Sequence, residues 1–228
     1  MSAIDLIIFD CDGVLVDSEP LAMRVLVAAI AAQGIEVTTE TAYRDYLGRS
    51  LASISASLVD SHGAPLGAAA LQSMRDDLYA LYRQELRANP GLPAILSQLD
   101  TPFCVASSSS PERILLSLEL TGLLPWFKHT IYSASMVEHG KPAPDLFLHA
   151  AQAMGANPRR CLVIEDSPAG ITAAQRAGMR VFGYVGGSHI ARGGLLAEIE
   201  TLGPDDIFDD MHALPDRVRS LRTDKKAL

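Results

Sequence analysis

The chain has 228 residues, 48% of them hydrophobic, with a formal net charge of −8 and a mean hydropathy of +0.17. This is enough material for one large domain or two unequal ones, and it excludes intrinsic disorder as a class. The acidic balance excludes a surface that wraps nucleic acid, but it leaves room for a small anionic substrate, because one local cation can outweigh the global charge.

The remaining bounds are cellular. No apolar run approaches the roughly 20 residues of a spanning helix, and the start of the chain reads as Asp5 and a strand, not as a basic segment with a signal core. A cytoplasmic protein without membrane association is expected, as a monomer or weak homo-oligomer. Cys11, Cys104 and Cys161 are far apart, form no C-x-x-C pair and fall in or beside apolar runs. They read as buried free thiols in a reducing compartment.

Leu6-Ile7-Ile8-Phe9 reads as a strand buried on both faces, as in a parallel sheet. It ends in Asp10, with Asp12 two residues on and Gly13 able to turn the backbone closely. Two acids at a strand end are costly unless a cation or a proton compensates them. A helix follows, with Ser18 as its N-cap, Pro20 in its first turn and Gly34 at its stop. From Thr38 to about Arg87 the apolar spacing stays helical, interrupted at Gly48 and at 63–67. No strand-like alternation occurs there, which predicts a helical module inserted after the first strand.

Asn89-Pro90-Gly91 marks the return. The pattern then alternates: helix over 92–99, strand over 102–106, helix over 111–120, strand over 129–133, helix over 144–154, strand over 161–164, helix over 168–177, strand over 180–184. Ser110-Pro111 and Ser167-Pro168 are cap-plus-proline helix starts, and 206–208 reads as a last short strand before a closing helix. Strands alternating with helices indicate an α/β fold with a Rossmann-like, doubly wound parallel sheet. The expected division is an α/β catalytic core at 1–16 and 88–228, with an all-helical cap domain at 17–87.

Three later strand ends carry further polar groups. Ser107-Ser108-Ser109-Ser110 offers hydroxyls and backbone N–H groups entering a helix, a nest for phosphate oxygens; alone it equally reads as a serine-rich cap. Gly140-Lys141-Pro142 sets one lysine in a stiff loop, against an anion or simply at the surface. Glu165-Asp166 closes a buried strand with two acids, which most simply supply oxygen ligands to Mg²⁺. The six histidines suggest no ligand cluster and read as surface or packing residues.

D-C-D-G-V-L-V-D-S-E at 10–19, V-A-S-S-S at 105–109, G-K-P-A-P-D at 140–145 and V-I-E-D-S-P-A-G at 163–170 stand in a fixed order. In these the chain resembles the haloacid dehalogenase-like hydrolases of the helical-cap branch, over essentially its whole length. The resemblance implies Asp10 as the nucleophile that becomes an aspartyl phosphate, and Asp12 as the acid and then base. It implies Mg²⁺ held by Asp10, the Asp12 carbonyl and Asp166, with Glu165 as ligand or support. Ser107, the backbone near Ser108, and Lys141 would bind the phosphoryl oxygens.

Asp12 favours phosphate esters over the carbon chemistry of the dehalogenases, which lack that acid. β-Phosphoglucomutase-type enzymes have a histidine where this chain has Ala22, so the resemblance favours hydrolysis over mutase activity. Arg49 and Glu19 are the candidate specificity residues, with Arg44, Arg75 and Arg83 as alternatives. D-C-D-G, H-A-A-Q-A-M at 149–154 and A-G-M-R-V-F at 177–182 look most like sugar phosphatases of the 6-phosphogluconate type. A small phosphorylated metabolite is the expected partner. The non-enzymatic alternative, a phospho-receiver, is about half this length and has no helical insertion.

Overall fold

The computed structural model describes residues 4–48, 51–63 and 65–223. Strand β1 (Leu6–Phe9) leads into four helices, α1 (Glu19–Ala31), α2 (Thr39–Tyr46), α3 (Leu51–His62) and α4 (Ala68–Glu85). After α5 (Leu92–Leu96) come β2 (Phe103–Ser107), α6 (Pro111–Leu120), α7 (Leu124–Phe127), β3 (Ile131–Ser133), α8 (Asp145–Ala153), β4 (Cys161–Glu165) and α9 (Pro168–Arg176). The chain closes with β5 (Arg180–Tyr184), α10 (Ser188–Gly193), α11 (Leu195–Leu202), β6 (Asp206–Phe208) and α12 (Leu214–Thr223).

The six strands form one parallel sheet in the order β3-β2-β1-β4-β5-β6. Alternation along β1 sends Ile7 and Phe9 into one apolar layer with Val105, Leu162, Ile114 and Phe127. Leu6 and Ile8 enter the opposite layer with Ala106, Phe147, Val163 and Ile171. Phe9, Phe103 and Phe127 meet edge to face at 5.2–6.2 Å. Both faces are therefore covered, as the continuous apolar strands require. The three cysteines are free and buried.

The four helices after β1 build a third apolar cluster of their own, around Leu26, Ile30, Tyr43, Ile54, Leu58 and Met74. Their entry and exit segments lie side by side. Asp17 N–H donates to Arg87 O, and Asn89 N–H to Leu15 O, both at 3.0 Å. The buried Asn89 side chain donates to Gly13 O (2.9 Å) and Val14 O (2.7 Å), so the return segment holds the loop that follows β1.

Several expectations need correction. The helix expected over 92–99 ends at Leu96. Helices α7, α10 and α11 were not anticipated; α7 is four residues and α10 six, too short to show a helical apolar repeat. Ser18 precedes α1, but its hydroxyl makes no cap; it donates to Asp12 Oδ1 at 2.6 Å. Ser110 and Ser167 do cap their helices, accepting from Arg113 N–H (3.3 Å) and Gly170 N–H (3.0 Å).

Candidate active site at the strand ends

Strand order reverses at β1, where an open parallel sheet leaves a crevice at the carboxyl ends of its strands. Phe9 lies opposite Val105 on β2 and Ile164 on β4, which brings Asp10 level with Ala106 and Glu165. Lys141, from the loop before α8, joins them. Its ammonium donates to Asp10 Oδ1 (2.8 Å), Glu165 Oε1 (2.6 Å) and Ala106 O (3.1 Å), and lies 4.9 Å from the centre of the Phe147 ring. Burial opposes its charge, yet the two carboxylates outweigh that and raise its pKa, so it is a fixed cation.

Glu165 is fully engaged. Its other oxygen accepts from the backbone N–H groups of Asp166 and Ser167 (3.0 Å each) and from Ser167 Oγ (2.9 Å). Asp166 follows it, also buried. One oxygen from each of Asp10, Glu165 and Asp166 lies within 4.8 Å of the others. Three buried carboxylates thus gather around one lysine, with the His189 imidazole 2.9 Å from Asp166, a concentration of acidic oxygens suited to a divalent cation with oxygen ligands. The titration directions agree. Burial raises the Asp10 carboxyl well above its ordinary value against the pull of Lys141, with Glu165 and Asp166 adding to the rise, and burial likewise raises Asp166.

Asp12 is held quite differently. It accepts from Ser18 Oγ and Ser109 Oγ, both at 2.6 Å, and from the Arg113 guanidinium at 2.8 Å. Burial alone would raise its pKa, but Arg113 and these hydrogen bonds outweigh it and hold the carboxyl below its usual range. Arg113 in turn lies 5.6 Å from the centre of the Tyr82 ring on α4. Ser107 ends β2 fully buried, with its hydroxyl accepting from Ser109 N–H at 3.1 Å, while Ser108 is exposed at the crevice.

The crevice opens into a cavity of about 620 Å³ between the strand ends and the helices of the insertion. Asp10, Asp12, Ser107, Ser108, Lys141 and Asp166 line one side. Leu47, Leu51, Ile54, Leu71, Met74 and Leu78 line the other. Glu19, at the start of α1, also lines it; burial, and then Asp12, push its pKa up to about 7. Arg75 reaches the same cavity, whereas Arg44 lines a separate groove and pairs with Asp45 at 2.7 Å. Arg83 is not among the residues lining the cavity. Arg49 lies outside the described residues.

Three residues at the site escaped the reading of the sequence. Ser109 was read only as one hydroxyl of the serine run and not as a partner of Asp12, and Arg113 lies four residues beyond that motif, where its position in the first turn of a capped helix was the available signal. His189 was read with the other histidines as a surface or packing residue. It is buried, as a packing residue would be, but its Nε2 lies 2.9 Å from Asp166 Oδ2, a contact the reading did not foresee, and that contact outweighs burial and raises its pKa.

Comparison with known proteins gives a consistent picture. A model of haloacid dehalogenase-like hydrolases matches residues 4–178. The 6-phosphogluconate phosphatase of Escherichia coli is 33% identical over 190 residues, covering 83% of this chain and 86% of that protein. A conserved haloacid dehalogenase-like protein of unknown function from Agrobacterium tumefaciens superposes with a TM-score of 0.85 at 34% identity, covering 96% of this chain and 100% of that one. A hydrolase from Deinococcus radiodurans, solved with bound phosphate and sodium, gives 0.79 at 29% identity, over 97% and 98% of the two chains.

Proposed function

The chain belongs to the haloacid dehalogenase-like hydrolases and is a phosphoric monoester hydrolase, and on that premise we propose that it is a Mg²⁺-dependent phosphatase of small phosphorylated sugars, sugar acids or polyols, working through an aspartyl phosphate on Asp10. The observation that carries this reading is the Lys141 ammonium bridging Asp10 and Glu165, beside Asp166, at the reversal point of the sheet. The E. coli relative makes 6-phosphogluconate the leading substrate.

In this reading Asp10 attacks phosphorus in line. The bond from phosphorus to the ester oxygen breaks, and Asp12 gives that oxygen its proton. Asp12 then takes a proton from water, which attacks the aspartyl phosphate and frees phosphate and Asp10. Lys141, the hydroxyl of Ser107 and the backbone entering α6 hold the phosphoryl oxygens as charge moves onto them. Mg²⁺ would be held by the carboxylates of Asp10 and Asp166 and the carbonyl of Asp12, with Glu165 fixing Lys141 beside it; when bound it neutralises the charge of the anionic phosphoryl group.

In the present geometry Asp12 is ionised and hydrogen-bonded to Arg113, Ser109 and Ser18. That is the state of a base. To serve as the acid, its side chain must leave these partners and face the leaving oxygen, and we place that step with closure of residues 17–87 as a cap over the crevice, which also excludes water. Ala22 lines the cavity, so the position that carries a histidine in β-phosphoglucomutases offers only a methyl group here, which supports hydrolysis over transfer.

A screen of phosphate release over sugar, sugar-acid and polyol phosphates with Mg²⁺ tests the proposal, with Asp10→Asn as control. The variant should fold normally and lose at least about a thousandfold in kcat, because the nucleophile is removed. Turnover retained above about a hundredth of wild type would reject Asp10 as the covalent residue.

A further inference from the structure

His189 is the only buried histidine among the described residues, and the reaction above makes no use of it. Its Nε2 lies 2.9 Å from Asp166 Oδ2, while Nδ1 is buried without a hydrogen-bond partner. One hydrogen bond and the packing around the ring therefore set its orientation. That packing is tight. A methyl group at Gly187 would lie 2.5 Å from the ring Cε1 and 2.8 Å from Nδ1. One at Gly13 would lie 1.7 Å from Asp166 Oδ2 and 2.9 Å from Cε1. Gly187 has φ −64° and ψ 140°, a backbone that any residue adopts, so the demand for glycine there is one of space.

Two glycines thus frame an imidazole–carboxylate pair. A carboxylate gripped through one oxygen presents the other in a fixed direction, and a ligand held in this way keeps its orientation for a cation. The helix that carries the histidine has a second attachment. Ser188 Oγ donates to Asp17 Oδ1 at 2.9 Å, the Arg192 guanidinium lies 5.9 Å from the centre of the Tyr43 ring, and α10 packs against α1 and α2.

We propose that His189 is a positioning residue that holds Asp166 in the orientation in which it takes a divalent cation, and that α10 thereby ties the metal site to the helical insertion. This rests on the metal reading given above. The test is isothermal titration of MgCl₂ into the full-length protein without substrate, comparing wild type with His189→Ala, His189→Gln and Gly187→Ala.

His189→Ala should weaken Mg²⁺ binding by about 10- to 100-fold, as losing a partner of a ligating group does. His189→Gln, whose amide can still donate to Asp166, should recover most of that affinity. Gly187→Ala keeps the imidazole but crowds it, and should also weaken binding. In turnover assays the Mg²⁺ concentration for half-maximal rate should rise in His189→Ala, while kcat at saturating Mg²⁺ stays near wild type. Wild-type affinity in both His189→Ala and Gly187→Ala overturns the inference and leaves the phosphatase reading standing. So does glutamine performing no better than alanine, which would mark a packing role. A wild-type protein that takes up no Mg²⁺ at millimolar concentration overturns both. Should His189→Ala fail to fold, the glutamine and Gly187→Ala variants decide the question.

Discussion

The two walls of the cavity are built on opposite principles. On the strand-end wall, charged side chains are almost fully buried and hold one another: Lys141 is 4% exposed in its side chain and contacts two carboxylates and a carbonyl. On the helical wall the lining is mostly apolar and partly open, with Leu51 45% and Leu71 36% exposed. A buried polar network keeps its geometry because any member left without a partner is costly, whereas an apolar, solvent-edged wall can change its side chains at little cost to the fold. On the proposed function, the chemistry would reside in the first wall and the choice of substrate in the second.

The contrast breaks first at Lys141. Lys141→Met would leave Asp10 and Glu165 facing each other without their shared cation. Losing one partner of a buried charged cluster costs about 3–5 kcal/mol, and phosphoryl oxygens would lose their fixed positive charge. We expect at least a thousandfold loss in kcat and a clear drop in the urea midpoint, with part of the stability returned by saturating Mg²⁺, which supplies compensating charge. An unchanged urea midpoint would mean that the strand-end wall is not the interlocked unit described.

A smaller effect is expected at Arg113, which joins the two walls by reaching Asp12 from α6 while stacking near Tyr82 of α4. Arg113→Gln should lower kcat about 10- to 100-fold with little change in KM, because Asp12 loses its hold but substrate contacts stay. The sign of the pH effect follows from the direction of the Asp12 shift. A carboxyl held below its usual value in the folded state contributes stability that is present above the unfolded value and lost as pH falls through the folded one. Without the guanidinium the Asp12 pKa rises, so the limb of kcat/KM that Asp12 sets as the proton donor should move to higher pH and the protein should lose stability above about pH 4. A limb that stays in place would assign that limb to another group.

How far the sequence was legible follows the same division. Continuous apolar strands ending in Asp10, Ser107 and Glu165-Asp166 announced themselves because a parallel sheet puts functional groups in one place, at strand ends, and the register does the rest. Lys141 was marked by the glycine and prolines around it. The helical wall gave no comparable signal. Leu71, Met74 and Leu78 repeat as any core stripe does, and in the structure Met74 is buried in the helical core while also lining the cavity. Helical spacing reports which residues leave water, not whether they meet protein or substrate. His189 was illegible for another reason: it follows two glycines on a six-residue helix, and its contact with Asp166 spans 23 positions that no local pattern relates.

The gentlest test concerns Arg75 on the helical wall. Three lysine or arginine side chains line the cavity among the described residues: Lys141, Arg113 and Arg75. The first two are paired with carboxylates, whereas Arg75 donates to the neutral side chain of Gln72 at 2.6 Å and is exposed. It is therefore the cation best placed to meet a second anionic group at the far end of a substrate. An exposed ion pair is worth about 0.2–1 kcal/mol, so Arg75→Ala should raise KM about two- to fivefold for a phosphorylated sugar acid and leave kcat and thermal stability unchanged. The same variant should act on a polyol phosphate of equal length with an unaltered KM, since that substrate has no carboxylate to lose. Equal KM changes for the two substrates would remove Arg75 from recognition and return the choice between them to the apolar shape of the helical wall.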